Sequence, residues 1–417
     1  MEIEAPEFTA WLYEFFAAYY RRRPVNATFI GIHQYDHLLP DFSENAAGDT
    51  LAEMEMLLAR LRDLPAEPLT DAEALDRKLA KGFLECQMWE YTSRHFHLGN
   101  PSLYTGEAIF GVLSLFLTAF APLDERVESA IARMEATSHL LEQARANVPQ
   151  APLAWTERAI RECTGALAFF QDGVDWLVQN ETISDPRFRA AADNAAASFA
   201  EYQHFLESDL LARPTDGYAS GELAFDLMVR QGHFVDMEPD EIARYAEEQW
   251  AEADAQLAAQ AADFGAGTWR EALGGLADLR PTVGRYYARY TELWTACRAM
   301  AEEQELVTWP DFPIRYVPRP GWARKAAPYL YFLFYRAPAA FNRPPVHHYL
   351  VTPIDTTMPA AKQEELLRSN NDSVIKLNHV VHHGSIGHHV QNWNAYRAES
   401  RIGRMAAVDC ASRIAMF

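Results

Sequence analysis

The sequence predicts a mainly α protein with a small β element after residue 309. Three observations predict it. Apolar residues recur at helical spacing through about the first 300 positions. One short segment, Val346–Thr352, reads as a strand ending at Pro353. The texture changes at Trp309, after which Pro310, Pro313, Pro318 and Pro320 punctuate a loop.

The elements follow in order. Phe8, Trp11, Leu12, Phe15, Phe16 and Tyr19 form the stripe of a first helix, which Pro24 ends. Arg22 to Ser43 is rich in turn formers. Leu51, Met54, Leu57, Leu58 and Leu61 mark a second helix, and Thr70 with Glu73 forms a capping box ahead of a third. Val127, Ile131, Met134, Leu141 and Val148 mark a long fourth. Ser184-Asp185-Pro186 starts another, carrying Phe188, Ala192, Ala195, Phe199, Tyr202, Leu206 and Leu210. Two more are expected at about 239–264 and 269–303, with their aromatic stripes facing the core. An aromatic run spans Tyr329–Tyr335, and Pro359 opens a further helix.

We read residues 1–305 as a helical region and 306–417 as the start of the region that carries the chemistry, within one continuous domain. Ala406 to Phe417 is apolar and helix-like and stops without a cap or polar tail. From this we expect a fragment of a longer protein.

Composition excludes some partners. The net charge is −21, which repels phosphate, so nucleic acid and anionic membranes are excluded as partners. Cys86, Cys163, Cys297 and Cys410 show no metal-ligand spacing and read as buried reduced thiols. No basic leader followed by an apolar run opens the chain, and the expected location is cytoplasmic. Oligomeric state is not encoded legibly.

Chemistry concentrates near the C-terminus. His379, His382, His383, His388 and His389 fall in one short stretch, out of 14 histidines in the chain. Neutral imidazole is the commonest protein ligand for zinc and its neighbours. On a straight α-helix His379, His382, His383 and His389 share a broad face, while His388 points away. His379 and His383 are spaced to share one ion; His382 and His389, roughly 10.5 Å apart along the axis, are not. Gly384 and Gly387 disfavour a continuous helix. A break there could swing His388 or His389 back toward His382. Ser385 lies outside a nucleophile elbow, because position 383 is histidine where that motif needs glycine.

His382-His-Gly-Ser-Ile-Gly-His-His-Val-Gln391 resembles the signature of the bacterial family called domain of unknown function 885, His-Glu-Gly/Ala-x-Pro-Gly-His-His-x-Gln. Arg23-Pro-Val-Asn-Ala-Thr-Phe-Ile-Gly-Ile-His-Gln-Tyr-Asp36 through Ser43 resembles that family's N-terminal segment. Gly221–Phe225 and the Pro344-Pro345 region fit as well. The family is placed among gluzincin-like metallopeptidases, so the resemblance implies a large helical gluzincin-like fold and a zinc cofactor.

Carried over by position, the resemblance implies His382 as a metal ligand, with His388 and His389 as the closing pair of which at least one ligates. His383 stands in the place of the glutamate, the general base of a gluzincin. It is the candidate catalytic residue, able either to ligate or to act on substrate. Ile386 replaces the family's proline. The family's downstream Glu-Gly-Trp-Ala-like motif, which resembles the third-ligand helix, would lie beyond Phe417; Glu399 matches no family ligand. In gluzincin-like folds an edge strand beside the metal helix pairs with extended substrate. His348 and Tyr349 are therefore candidate substrate-binding residues, with His347 and His348 on alternate faces. The expected function is a zinc-dependent hydrolase of the peptidase type acting on short peptides or peptide-like amides. The alternative is a non-hydrolytic metal- or peptide-binding protein on the same scaffold.

Overall fold

The computed structural model of the protein describes residues 6–64, 69–330, 340–384 and 386–406. It is mainly α, as the periodicity predicts. Helices α1 (Pro6–Arg22), α2 (Pro24–Ile30), α3 (Glu44–Asp63), α4 (Asp71–Thr92), α5 (Pro101–Leu117), α6 (Leu123–Asn147), α7 (Leu153–Ala168), α8 (Val174–Asn180) and α9 (Pro186–Ser208) build the larger hydrophobic core. The apolar stripes read from the sequence supply it: Trp11, Phe15, Met54, Leu57, Ile131, Met134, Phe188 and Phe199 are all buried. α5 is apolar nearly all round and almost wholly buried, as such a helix must be.

Local signals hold at the helix starts. Glu73 N donates to Thr70 Oγ1 at 3.2 Å, and Thr70 N donates to the Glu73 carboxylate at 2.9 Å. Asp185 accepts from Arg187 N at 2.8 Å with Pro186 in the first turn. Pro24 ends α1 as expected, but it also opens α2, so the supposed turn region contains a helix. That helix stops at Gly31, whose φ of 92° suits a residue with no Cβ.

The next helices depart from expectation. After α10 (Glu222–Leu227) come α11 (Pro239–Gln260), α12 (Trp269–Leu276) and α13 (Tyr286–Glu303). The single helix expected over 269–303 is divided, because the segment around Pro281 breaks it. α11 and α12 bury no residue, and Trp250 is 77% exposed. Their aromatic stripes do not face the core.

β1 (Ile314–Pro318) and β2 (His347–Val351) form a two-stranded parallel sheet with Tyr316 opposite Tyr349. β2 is the strand read from the sequence; β1 is an addition from the proline-rich loop. Then follow α14 (Ala360–Ser369), a π-helix (Val374–Gly384), α15 (His388–Tyr396) and α16 (Arg401–Ala406). A second core gathers Tyr286, Tyr290 and Cys297 of α13, Tyr349 and Val351 of β2, Ile354, Leu367 of α14, and Ile375 and Val380 of the π-helix. Residues from beyond 305 also join the first core, among them Trp322, Ala326, Leu330 and Ile402. Buried Asp76 of α4 anchors α16, accepting from the Ser400 hydroxyl and from the amides of Arg401 and Ile402.

A clasp joins the chain's first turn to the strand region. Phe341 N donates to Ile30 O at 2.9 Å. His33 donates through Nδ1 to Asp36 at 2.9 Å, which leaves Nε2 to accept from Asn342 Nδ2 at 3.2 Å. A Cβ on Gly31 would lie 2.6 Å from Asn342 N, so the approach itself requires glycine. Cys86, Cys163 and Cys297 are buried free thiols. Cys410, Ser385, positions 331–335 of the aromatic run and the terminal stretch 407–417 lie outside the described residues. Among the described residues, no helix is long and apolar enough to cross a membrane.

Candidate metal centre

The histidine segment is not one helix. Asn371 Oδ1 accepts from Ser373 N and Val374 N, starting a helix that winds with the wider i→i+5 pattern over Val374–Gly384. Such π segments gather at functional sites and change which side chains share a face. Three contacts hold this one. Trp294 Nε1 of α13 donates to Gly384 O at 2.9 Å, Tyr316 OH donates to His379 O at 3.2 Å, and Gly387 N donates to Val381 O at 3.0 Å. The chain then folds back and restarts as α15 at His388. A Cβ on Gly387 would collide with His382 O, so glycine is required there.

The fold-back brings His382, His383 and His388 together. One ring nitrogen of each lies within 4.8 Å of the others. His382 Nε2 and His388 Nε2 are 3.1 Å apart. Two nitrogens on one tetrahedral zinc, each about 2.0–2.1 Å from the ion, sit roughly 3.3 Å apart. The His382–His388 pair is close to that spacing, and the three neutral nitrogens, within 4.8 Å of one another, are a donor set of the kind that a zinc-type ion takes.

The partners of the far nitrogens support that fit. His388 Nδ1 donates to Gln391 Oε1 at 2.6 Å, leaving Nε2 with its lone pair. His383 Nδ1 donates to Asn378 O at 2.9 Å, which places the acceptor lone pair of the neutral ring on Nε2. This is how ligating imidazoles are fixed in tautomer and orientation. Tyr349 OH adds a further link, 3.3 Å from His383 Nδ1 and 2.7 Å from His379 Nδ1. The His383 Nδ1 proton goes mainly to Asn378 O, with the longer contact to the Tyr349 hydroxyl as a minor branch, and that hydroxyl donates onward to His379.

Electrostatics favour the neutral ring at His383 and at His379. Burial holds His383 down to about 4, with His382 the next contributor. His379 is held at about 4 by burial and then by Arg319. Among the described residues, no carboxylate belongs to the group.

The other sequence candidates fall elsewhere. His389 is not with the group. It is buried, it donates through Nε2 to Phe312 O at 2.7 Å, and its ring stacks on Phe312. Of the closing pair it is His388 that turns back, the residue a straight helix would have pointed away. His379 also stays apart, tied to Tyr349. On β2 the alternation buries His347 and Tyr349 and leaves His348 exposed, so Tyr349 reaches the histidines and His348 does not. Glu399 is exposed. Gln391 and Asn378 received no role from the sequence. The signal for Gln391 was its place three residues after His388, one helical turn on.

An open recess of about 460 Å³ adjoins the group, lined by Val381, His382, Ile386, Gly387, His388, Val390 and Gln391.

The sequence profile of a bacterial family of unknown function, DUF885, matches residues 24–412. The chain belongs to the DUF885 family. Two solved structures resemble this DUF885 protein. One is from Shewanella oneidensis, provisionally described as a lipoprotein of unknown function. It has TM-score 0.69 and 21% identity, over 97% of this chain and 74% of that one. The other is from Colwellia psychrerythraea, also provisionally described as a lipoprotein. It has TM-score 0.67 and 14% identity, over 96% of this chain and 74% of that one. At these identities the likeness is one of fold. No curated protein matches the chain.

Proposed function

We propose that this DUF885 protein is a zinc-dependent hydrolase of the peptidase type, with His382, His383 and His388 as the ligands. The observation that carries the reading is the convergence of three ring nitrogens within 4.8 Å, two of the rings oriented by acceptors on their far side. A divalent ion held there would acidify a water and polarise a substrate carbonyl. The chain's own residues do the rest. The three imidazoles would hold the ion as neutral donors, and Asn378 O and Gln391 Oε1 set the tautomers of His383 and His388. His383 serves as a ligand and not as a base, since its Nδ1 proton is committed to Asn378 O. Short peptides or peptide-like amides are the substrate class that family resemblance supports, and the open recess leaves room for one.

A second reading, a metal-binding protein without hydrolysis, is favoured by the lack of a carboxylate in the group among the described residues. One experiment separates them. The purified protein is assayed for bound metal and for chelator-sensitive cleavage of N-acylated dipeptides and tripeptides. One ion per chain with turnover supports the hydrolase, and one ion without turnover supports the second reading. No bound ion under zinc excess removes both. His383→Glu adds a control: gain of turnover would mean that a carboxylate base is what the native site lacks.

A further inference from the structure

Two members of the histidine group, His382 and His388, also line the recess, and Ile386 lies beside them. Val381, Ile386 and Val390 make its wall apolar, and Val390 is 7% exposed. The one carboxamide at the rim is Gln391. Its Oε1 is taken by His388 Nδ1, which leaves its Nε2 as a donor without a partner among the described residues. The recess is open to solvent, and its mostly apolar wall with one oriented carboxamide offers room for a single side chain.

We infer that this recess selects the substrate: it takes an aliphatic side chain carried next to the reacting carbonyl, while Gln391 Nε2 donates to the neighbouring amide oxygen. The inference rests on the metal reading of His382, His383 and His388 and specifies its ligand class. Position supports it, because His382 and His388 are at once walls of the recess and members of the donor group. A ligand atom on the ion therefore has its adjacent side chain against Val381, Ile386 and Val390. A charged or absent side chain gains nothing from that wall. An aliphatic one removes apolar surface from water on both sides.

The test uses the full chain loaded with cobalt(II), whose absorption spectrum reports ligation. N-acetyl-leucine hydroxamate and N-acetyl-glycine hydroxamate are titrated in turn. The leucine compound is expected to bind about 10-fold more tightly or better, the effect of partly burying one such side chain. Val390→Thr, which keeps shape, and Ile386→Ser should each cut that ratio to about 3-fold or less with the cobalt spectrum unchanged. Equal affinities for the two hydroxamates in cobalt-loaded wild type would overturn the inference and leave the metal reading standing. A ratio that survives both substitutions would overturn it as well. If no cobalt spectrum develops, or if His388→Ala gives the same spectrum, the metal reading falls and the subsite with it. The wild-type comparison needs no variant, so a poorly folded mutant does not remove the test.

Discussion

Gly387 packs its bare α-carbon against the carbonyl oxygen of His382, and this contact closes the fold-back that carries His388 to His382. A methyl group at 387 has no space. Gly387→Ala should therefore cost about 1–3 kcal/mol, the range for forced overpacking, and should lower metal uptake as well. Thermal unfolding and metal analysis of the same variant check both parts. Wild-type metal content in a variant of unchanged stability would contradict this account of the turn.

His382→Ala and His388→Ala should each weaken metal binding by more than the ~10–100-fold typical of losing an outer partner. His389→Ala should keep the metal and lose stability instead, by about 1–3 kcal/mol. It strips a hydrogen bond from the Phe312 carbonyl and empties a packed position. Stoichiometry and melting curves should then move in opposite directions for the two neighbouring residues.

Tyr349→Phe keeps the ring and removes the hydroxyl between His379 and His383. Metal affinity should fall by roughly 10-fold, with secondary structure intact. A competition titration against a chromophoric chelator measures it. An unchanged constant would show that Asn378 O alone orients His383.

Acid should destabilise the fold through His97, far from the metal group. Burial first, and then Arg23, hold His97 down to about 4 in the folded state. Its ring lies between Phe42 and Tyr91. Unfolded, the imidazole titrates near 6.5. The unfolded chain thus binds the extra proton first. The contribution is whole above about pH 6.5 and is lost as pH falls from there toward 4. The slope should reach up to ~1.4 kcal/mol per pH unit in that window. Urea unfolding of wild type and His97→Phe across pH 4–7 should show the variant with the shallower decline.

The fold was legible where side chains obey local rules. The stripe from Phe8 to Tyr19, the Thr70–Glu73 box and the Asp185–Pro186 start each depend on neighbours a few residues away. The α11 helix was read correctly, but the facing of its stripe was misread for the opposite reason. Its periodicity is real, but periodicity does not say whether anything packs against the stripe. The histidine site was half legible. Gly384 and Gly387 announced a break, but the helix before it winds as a π-helix, so an α-helical wheel placed His388 outside and His389 inside. The local contacts of Asn371 and Gly387 mark the two ends of that π-helix, while distant contacts from Trp294 and Tyr316 hold it in place. The inward turn of Tyr349 instead of His348 depends on register with β1, a strand the proline-rich loop concealed.

The clasp between Gly31, His33 and Asn342 bears on the order of assembly. His33 and Asn342 are 309 residues apart in sequence. On the ribosome the Gly31–His33 turn emerges long before the segment it grips, and it must wait for some 309 further residues. Contacts of such long range are slow to close. The strand that carries Tyr349 begins only five residues after Asn342, so the histidine group should become organised late, after the helices have condensed. Pulse-labelled refolding should find the amide of Phe341 protected after those of α5 and α6. The turn at Gly31–His33 is in that sense a template laid down early and used late.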